Sequence, residues 1–323
     1  MNLNPKTTAF VFPGQGSQAV GMGRDLAAVY SVAQKTFEEA DSVLGFSLSK
    51  LMWEGPAEEL NDTVNTQPAL YVHSVAAYRV FCELFPDPST GSGQAFKPVS
   101  VAGHSLGELS ALTAAGALAF EDGIKLVRLR GELMKRAGEM SPGGMAAVLN
   151  LDIPALDKVC AEASTEGEIV QVANDNCPGQ VVISGAKAAV ERAIAGAKAA
   201  GAKRAIPLAV SIAAHSPLMG PIQAEFEEAV KATPFHRART PVIGNVKAEP
   251  MTTADQFRTD VVAQLTSRVR WTESVEYLIG QGIQTFVEMG SGVVLLGLIR
   301  RIDESVTGLP FGNPADVETL QKA

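Results

Sequence analysis

Short apolar runs alternate with segments of helical periodicity along most of this chain. Three of these runs, TAFVF (8–12), PVSVAG (98–103) and QTFVEM (284–289), have the length and composition of buried strands. A helical pattern follows each of them along the chain. Because strands that alternate with helices form mainly parallel sheets, the pattern predicts an α/β fold with a mainly parallel sheet.

Residues 145–208 carry a pattern of their own. Their strand-like and helix-like segments follow the order β-α-β-β-α-β, with NCPG between the two middle strands. This order is typical of ferredoxin-like domains. We therefore predict a small ferredoxin-like domain at 139–208. It would be inserted into a large domain made of residues 1–138 and 209–323.

Two local signals concern the connection between the first two predicted strands. Gln67-Pro68 predicts a helix start, because proline is favoured in the first turn. The segment 86–98, PDPSTGSGQAFKP, is rich in turn residues and predicts a surface loop.

Composition and charge exclude several classes of protein. Hydrophobic residues make up 46% of the 323 residues and charged residues 19%, which is unlike a disordered chain or a coiled coil. The net charge of −8 argues against general nucleic-acid binding, which needs a basic surface. Three cysteines without a CxxC pair signal neither a disulfide framework nor a zinc site.

No membrane or export signal stands out in the sequence. No stretch approaches the roughly 18 apolar residues of a membrane span, and the N-terminal segment lacks the pattern of a signal peptide. We therefore expect a cytoplasmic protein without a membrane partner. We also expect a monomer, although no sequence feature decides the oligomeric state.

The candidate nucleophile is Ser105. The segment Gly103-His104-Ser105-Leu106-Gly107 matches G-x-S-x-G, in which a tight strand-to-helix turn holds the serine oxygen exposed. The amide of Leu106 then lies at a helix N-terminus, where it can stabilise an oxyanion. An ordinary Gly/Ser turn is the alternative, but the strand pattern before it and the helix pattern after it favour the nucleophile.

A serine hydroxyl needs a base, and the sequence offers four histidines. His73 lies in a helical pattern, His104 is expected to support the turn, and His236 lies in a polar segment. His215 follows the apolar run LAVSIAA and precedes the helix-start signal Ser216-Pro217. A strand-to-helix junction there would project its side chain into a cleft, which favours His215 as the base. A packed core histidine is the alternative.

Arg130 is the candidate ligand of an anion. In the helical pattern of 121–140, the other charged side chains share one arc and Arg130 falls within the apolar arc. A buried guanidinium needs an anionic partner. That partner is either an internal carboxylate or a carboxylate on the substrate, which arginine binds through two parallel hydrogen bonds.

The glycine-rich loop 12–18, FPGQGSQ, follows the first predicted strand. It lacks the Lys-Ser/Thr pair of a P-loop and the GxGxxG spacing, so a nucleotide site is not indicated. Its glycines would instead bring backbone donors to the sheet edge where open α/β folds bind ligands. A plain tight turn is the alternative.

Taken together, these motifs resemble the malonyl-CoA:acyl carrier protein transacylase family, the acyltransferases of fatty acid and polyketide synthesis. The resemblance spans nearly the whole chain in the family's order and spacing. FPGQGSQ and GHSLGE are specific in combination. The segments that carry it are FPGQGSQAVGMG (12–23), NTQPAL (65–70), GHSLGELSAL (103–112), LVRLRG (126–131), NDNCPGQVVISG (174–185), HSPLM (215–219), IGNVKAEP (243–250), WTESVEYL (271–278) and EMGSG (288–292).

The resemblance implies an α/β-hydrolase-like large domain with a ferredoxin-like insert. Matched by motif, it implies Ser105 as nucleophile, His215 as general base and Arg130 as the ligand of the malonyl carboxylate. It further implies backbone N–H groups in an oxyanion hole, a main-chain carbonyl that orients the histidine, and side chains that line the substrate site. Those residues are Gln15 and Leu106 for the oxyanion hole, Gln264 for the carbonyl, and Gln67 and Asn174, with Asn176 beside it, for the substrate site.

The implied reaction is a ping-pong transfer. A malonyl group passes from malonyl-CoA to the serine and then to the phosphopantetheine thiol of acyl carrier protein. The resemblance implies neither a metal nor a redox cofactor, and no acidic third member of a triad.

The sequence departs from the family pattern at two positions. Ala214 stands before the catalytic histidine, where the family usually has Phe or Ser, and leaves room for a 2-substituted malonyl group such as methylmalonyl. Leu109 stands where Tyr is common, and nothing in the sequence indicates a consequence. Two alternatives stay open, namely a free-standing acyltransferase of a polyketide synthase and an acyl-thioester hydrolase.

Carrier proteins are acidic, so docking on this acidic chain would need a local basic patch. Ordinary solvated charges are the alternative for each candidate. The candidates are Lys187, Arg192, Lys203, Arg204, Arg300 and Arg301.

Overall fold

A computed structural model describes residues 3–86 and 96–322. Its larger sheet is parallel except at one edge, where the last strand is antiparallel. The strands, named in chain order, are β1 (Thr8–Phe12), β2 (Ser100–Gly103), β7 (Val242–Ile243), β8 (Pro250–Met251), β10 (Thr285–Met289) and β11 (Thr307–Phe311). Their order across the sheet is β11-β10-β1-β2-β7-β8.

Helices cover both faces of this sheet. They are α1 (Arg24–Val29), α2 (Ser31–Leu44), α3 (Leu48–Glu54), α4 (Ala57–Asn61), α5 (Thr63–Leu84), α6 (Gly107–Ala114), α7 (Phe120–Met140), α10 (Gly220–Ala232), α11 (Ala254–Gln264), α12 (Trp271–Gly280), α13 (Val294–Ile302) and α14 (Pro314–Lys322). Strand β1 shows how the faces are filled, since all of its residues are buried. Phe10 and Phe12 pack into the cluster formed with α5, whereas Ala9 and Val11 pack into the cluster formed with α12 and α13. Burial on both faces explains why this strand is continuously apolar.

A second sheet forms most of the segment between α7 and α10. Its strands are β3 (Gly143–Leu149), β4 (Val170–Cys177), β5 (Gln180–Ala186), β6 (Arg204–Pro207) and β9 (Val269–Arg270), in the order β6-β3-β5-β4-β9. The first four are joined by antiparallel pairing, and α8 (Ile153–Ala163) and α9 (Lys187–Ala199) pack against them around their own apolar cluster. β9 lies outside the predicted insert along the chain and pairs with β4 in parallel. The smaller sheet therefore includes one strand from the predicted large domain.

The structure corrects the expected start of α5. The helix begins at Thr63 rather than near Gln67-Pro68, because the Asp62 carboxylate caps it by accepting from the amide of Val64. Pro68 therefore lies inside the helix, where it cannot donate to the carbonyl of Val64. That carbonyl accepts from Arg128 Nη1 at 3.2 Å instead, which offsets the missing helical bond.

A second correction concerns the segment before His215. The strand expected over the apolar residues there ends at Pro207, and residues 208–214 have no regular structure. The short elements β8, β9, β11 and α14 were not predicted. The loop expected at 86–98 falls largely outside the described residues.

Candidate membrane spans were also sought in the described residues. Among the helices in residues 3–86 and 96–322, none combines the length and the apolar character required to cross a bilayer.

Candidate active site

The nucleophile candidate lies on a sharp turn between β2 and α6. Ser105 has a φ of +52°, a left-handed conformation that non-glycine residues rarely adopt. The turn needs glycine beside it, because a Cβ on Gly107 would lie 2.0 Å from the carbonyl oxygen of Phe12 in β1. The predicted G-x-S-x-G turn is therefore present, with its serine held at the carboxyl end of a central strand.

Asn245, at the end of β7, fixes this turn from the other side. Its side-chain oxygen accepts from the amide of Ser105 at 2.7 Å, and its side-chain nitrogen donates to the carbonyl of Gly103 at 2.7 Å. The oxygen and the nitrogen of one buried side-chain amide thus both hydrogen-bond to this turn. These bonds stabilise a conformation that the backbone alone disfavours.

Ser105 and His215 form a hydrogen-bonded pair, with 2.8 Å between Ser105 Oγ and His215 Nε2. His215 Nδ1 lies 2.8 Å from the main-chain oxygen of Gln264. A carbonyl oxygen only accepts hydrogen bonds, so in the neutral ring Nδ1 carries the proton and Nε2 is free to accept one from Ser105. A main-chain carbonyl thus occupies the place that a carboxylate fills in a Ser-His-Asp triad.

Arg130 reaches the same serine from α7. Its side chain is 2% exposed. Nη1 donates to the side-chain oxygen of Gln67 at 2.7 Å, and Nη2 donates to the side-chain oxygen of Gln264 at 2.9 Å and to Ser105 Oγ at 3.2 Å. In the part of the chain that the structure describes, Arg130 takes part in no ion pair. Its charge is therefore held by neutral oxygens beside the nucleophile.

Burial and this charge together keep the histidine neutral. Burial lowers the pKa of His215 most, the positive charge of Arg130 lowers it further, and the pKa falls from 6.5 to about 3. Burial also lowers the pKa of Arg130 to about 10, which still leaves the guanidinium charged at neutral pH. The site thus combines an unprotonated base with a fixed cation.

These groups open into a cleft of about 990 Å³ between α7 and the second sheet. Gln15 and Leu106 line it next to Ser105, and Asn174 lines it from β4. Ala214 lines it beside His215. Gln67 is fully buried and lies behind Arg130, where its amide orients the guanidinium. The structure therefore brings the eight predicted site residues together. Six of them, Ser105 included, line the cleft, and the other two, Gln67 and Gln264, hydrogen-bond to Arg130, which lines it.

Several contributing residues were not singled out from the sequence. Besides Asn245, Gln171 on β4 donates to the main-chain oxygens of His215 and Thr266 at 2.8 and 2.9 Å. His104, predicted from the sequence to support the turn, has its Nε2 2.8 Å from the side-chain oxygen of Asn176 and so ties the turn to β4. The one sequence signal for Asn245 was its position in IGNVKAEP, a segment that carries the family resemblance. Nothing local marks Gln171.

The arrangement is suited to nucleophilic acyl transfer. A neutral imidazole can take the Ser105 proton, and Leu106 of the turn and Gln15 of the glycine loop line the same cleft. The buried cation favours an acyl group that carries a carboxylate.

The chain matches known proteins along most of its length. The family model described as acyl transferase domain matches residues 9–310. The malonyl CoA-acyl carrier protein transacylase of Escherichia coli (strain K12) is 47% identical over 307 residues, which cover 95% of this chain and 96% of the relative.

Two solved structures are similar in fold and sequence. An acyl carrier protein S-malonyltransferase from Vibrio cholerae has a TM-score of 0.91 and 45% identity, covering 97% of this chain and 99% of that one. A malonyl-transacylase in complex with its type II PKS acyl-carrier protein has a TM-score of 0.90 and 44% identity, covering 98% of this chain and 99% of that one.

Proposed function

Since the chain belongs to the acyl transferase domain family, we propose that it transfers malonyl groups from malonyl-CoA to acyl carrier protein for fatty acid synthesis. The observation that carries the proposal is Arg130, a buried cation 3.2 Å from Ser105 Oγ that hydrogen-bonds only to neutral oxygens in the described structure. A site that holds such a charge beside its nucleophile favours an acyl group with a free carboxylate. The names of the similar proteins support malonyl as that group.

We assign the architecture to an α/β-hydrolase-like large domain, residues 1–138 and 209–323, with a ferredoxin-like insert at 139–208. The order β6-β3-β5-β4 supports the insert, because β-α-β-β-α-β units pair their last strand with their first and their third with their second. The cleft then lies between the two domains, where ligand sites are common.

The first half-reaction acylates the enzyme. His215 Nε2 takes the proton of Ser105 as Oγ attacks the thioester carbon of malonyl-CoA. Amides of Gln15 and Leu106 stabilise the oxyanion, and losing one such donor typically costs about 10²–10³ in rate. The C–S bond breaks, and the CoA sulfur leaves with the proton that His215 returns. Arg130 holds the malonyl carboxylate throughout.

The second half-reaction reverses these roles. The phosphopantetheine thiol gives its proton to His215 Nε2 as its sulfur attacks the acyl carbon of malonyl-Ser105. The C–O bond breaks, and Ser105 recovers the proton. No metal or redox cofactor takes part in the proposed steps. The substrates are malonyl-CoA and holo acyl carrier protein.

Intact-mass measurement tests the proposal directly. Protein incubated with malonyl-CoA alone should gain one malonyl group, because acylation needs no carrier. Holo acyl carrier protein should then remove the group and become malonylated itself. Apo carrier protein, which lacks the thiol, is the matched control and should leave the adduct in place.

The other outcomes separate the alternatives. An adduct that decays to free malonate without a carrier would identify a hydrolase. An adduct from methylmalonyl-CoA but not from malonyl-CoA would mean that the space beside Ala214 sets the substrate. No adduct from either thioester would contradict the proposal.

We further propose that carrier protein docks on basic side chains beside the cleft. Gln180 lines the cleft and accepts from Arg301 Nη1. Arg204 lies two strands from Gln180 across the smaller sheet and at the same register position, because Gln180 pairs with Leu149 and Leu149 pairs with Arg204. Lys203 and Arg204 are exposed, and neither has an ion-pair partner within the described residues. Cations near this cleft residue that form no ion pair among the described residues suit an acidic partner.

Charge reversal at this surface is expected to weaken carrier docking. In the Lys203→Glu/Arg204→Glu variant, the KM for carrier protein should rise about tenfold and lose its salt dependence, because rim charges act through long-range attraction. The matched control is Lys158→Glu/Lys198→Glu, which makes the same charge change on α8 and α9. Equal KM values in the two variants would show that the docking surface lies elsewhere.

A further inference from the structure

The buried acidic residues next to the active site are not used by the proposed mechanism. Glu108, in the first turn of α6, is 0% exposed, and Asp260, in α11, is 7% exposed. Each carboxyl group is near enough to the other to help set its pKa. A hydrogen bond between them requires that one be protonated, because two ionised carboxylates would only accept.

The contacts of the pair indicate where the shared proton lies. Asp260 Oδ2 accepts from the amides of Asn245 and Val246 at 3.1 and 3.4 Å, and Lys247 adds a nearby positive charge. Glu108 Oε2 accepts from Gln264 Nε2 at 2.6 Å, but Glu108 Oε1 has no donor among the described residues. The better-solvated anion is Asp260, so the proton belongs on Glu108, which donates it to Asp260.

This pair supports both arms of the active site. Through Gln264, Glu108 is connected to the carbonyl that orients His215 and to the side-chain oxygen that holds Arg130. Through Asn245, Asp260 is connected to the amide of Ser105. Both Glu108 and Asp260 are therefore separated from the groups at the active site by one intervening residue.

We propose that Glu108 is a positioning residue that works in its protonated form, as the hydrogen-bond donor that locks Asp260, Gln264 and Asn245 into one network beneath Ser105. A neutral Glu108 also leaves the charge of Arg130 free for the substrate. If Glu108 were ionised, its carboxylate would compensate the charge of Arg130 inside the protein, in place of the carboxylate of the malonyl group. This last consequence rests on the proposed function, whereas the positioning of Ser105 does not.

Few other charged groups face Glu108. α7 presents Arg130 and α11 presents Asp260. α5 presents Tyr71 toward the far end of α6, where its hydroxyl bonds to Thr113. Strands β1, β2 and β7, which also pack against α6, contain no titratable residue. Burial and the negative charge of Asp260 both raise the pKa of Glu108 well above its usual value, so Glu108 keeps its proton to higher pH than an exposed carboxyl group.

Three substitutions and one surface control test the proposal. Glu108→Ala removes the donor, and we expect a loss of about 10²-fold in the acylation rate of Ser105, as for a reacting group displaced by about 1 Å. Glu108→Gln keeps a donor for Asp260 and an acceptor for Gln264, and should restore the rate to within about threefold of the original protein, the scale of a single hydrogen bond of altered strength. Glu276→Gln makes the same change at an exposed site of α12 and should have no effect.

The pH profile separates positioning by a protonated residue from plain structural support. The acylation rate of the unsubstituted protein should decline on the alkaline side of its pH profile, as rising pH removes the proton of Glu108. Glu108→Gln should lack that decline, and Asp260→Asn should move it to lower pH because the repelling charge is gone. A buried protonated carboxyl should give an infrared carbonyl band that disappears in Glu108→Gln.

The acylation is measured both with malonyl-CoA and with a fluorophosphonate that labels active serines. Changes seen with both reagents establish positioning of Ser105, and failure of malonyl-CoA alone would count against the proposed substrate rather than against Glu108. The proposal is overturned if Glu108→Gln is as slow as Glu108→Ala at neutral pH, or if it keeps the alkaline decline or the infrared band.

Discussion

Replacement of His215 by alanine is expected to slow acylation by malonyl-CoA by about 10⁴-fold or more, the scale seen when one member of a nucleophile–base unit is removed. Ser105→Ala should abolish the malonyl adduct. The physical reason is the 2.8 Å contact between Ser105 Oγ and His215 Nε2, which is the only described route by which the serine proton reaches a neutral base. Release of CoA in a single turnover measures the effect.

The pH dependence of the same step gives a second check. The base works only as neutral imidazole, so the rate falls as pH drops through the pKa of His215. Burial and the charge of Arg130 lower that pKa from 6.5 to about 3. The acid decline should therefore lie well below pH 6.5, and acylation should persist in mildly acidic buffer.

His236→Ala is the matched control, since His236 is exposed and lies away from the cleft. It should leave both the rate and the profile unchanged. An acid decline centred near pH 6.5 would show that His215 is not held neutral by its surroundings. A His215→Ala protein that acylates at near-normal rate would exclude it as the base.

The parts of the site that sequence could predict depend on local patterns. Ser105 is marked by glycines on both sides between a strand and a helix, and Arg130 by its place on the apolar arc of one helix. Both signals lie within a few residues, so they do not depend on knowing which strands are neighbours.

The parts that sequence could not predict depend on distant contacts. Asn245 acts because β7 lies beside β2, and Glu108 acts because the side chain of Gln264, at the end of α11, hydrogen-bonds to it. Gln264 was assigned through the resemblance alone, since a main-chain carbonyl has no signature in the residue type. Strand β9 has two residues, too few for any alternation to show.

The same reasoning explains the error at α5. A proline usually marks a helix start, and Pro68 was interpreted in that way. The cap at Asp62 and the bond from Arg128 to the freed carbonyl of Val64 outweigh that local preference. The resulting extra turn places Gln67 inside the helix, where it can hold Arg130.

Loss of the Arg130 charge is expected to change which acyl groups the protein accepts. In Arg130→Ala, kcat/KM for malonyl-CoA should fall by about 10²–10³-fold, because removing one partner of a buried charge pair costs about 2–5 kcal/mol. With acetyl-CoA, which has no carboxylate, the loss should be less than about tenfold, since only the general positioning of the reacting groups is disturbed. The ratio of the two kcat/KM values measures discrimination independently of any general loss.

Arg130→Lys separates charge from geometry. Lysine keeps a positive charge but cannot offer two parallel N–H groups, so it should recover only part of the malonyl preference. Arg136→Gln is the control on the same helix, since Arg136 is exposed and pairs with Glu225 at the surface. It should leave the ratio of malonyl to acetyl transfer unchanged.

The acid profile of Arg130→Ala provides a readout that substrate binding cannot mimic. The guanidinium lowers the pKa of His215, so its removal should raise that pKa and move the acid decline of acetyl transfer to higher pH. A variant that loses malonyl preference without this shift would show that Arg130 binds the substrate but does not lower the pKa of His215. A variant that keeps its malonyl preference would show that another group binds the carboxylate, because the described cleft would then recognise malonyl without its buried cation.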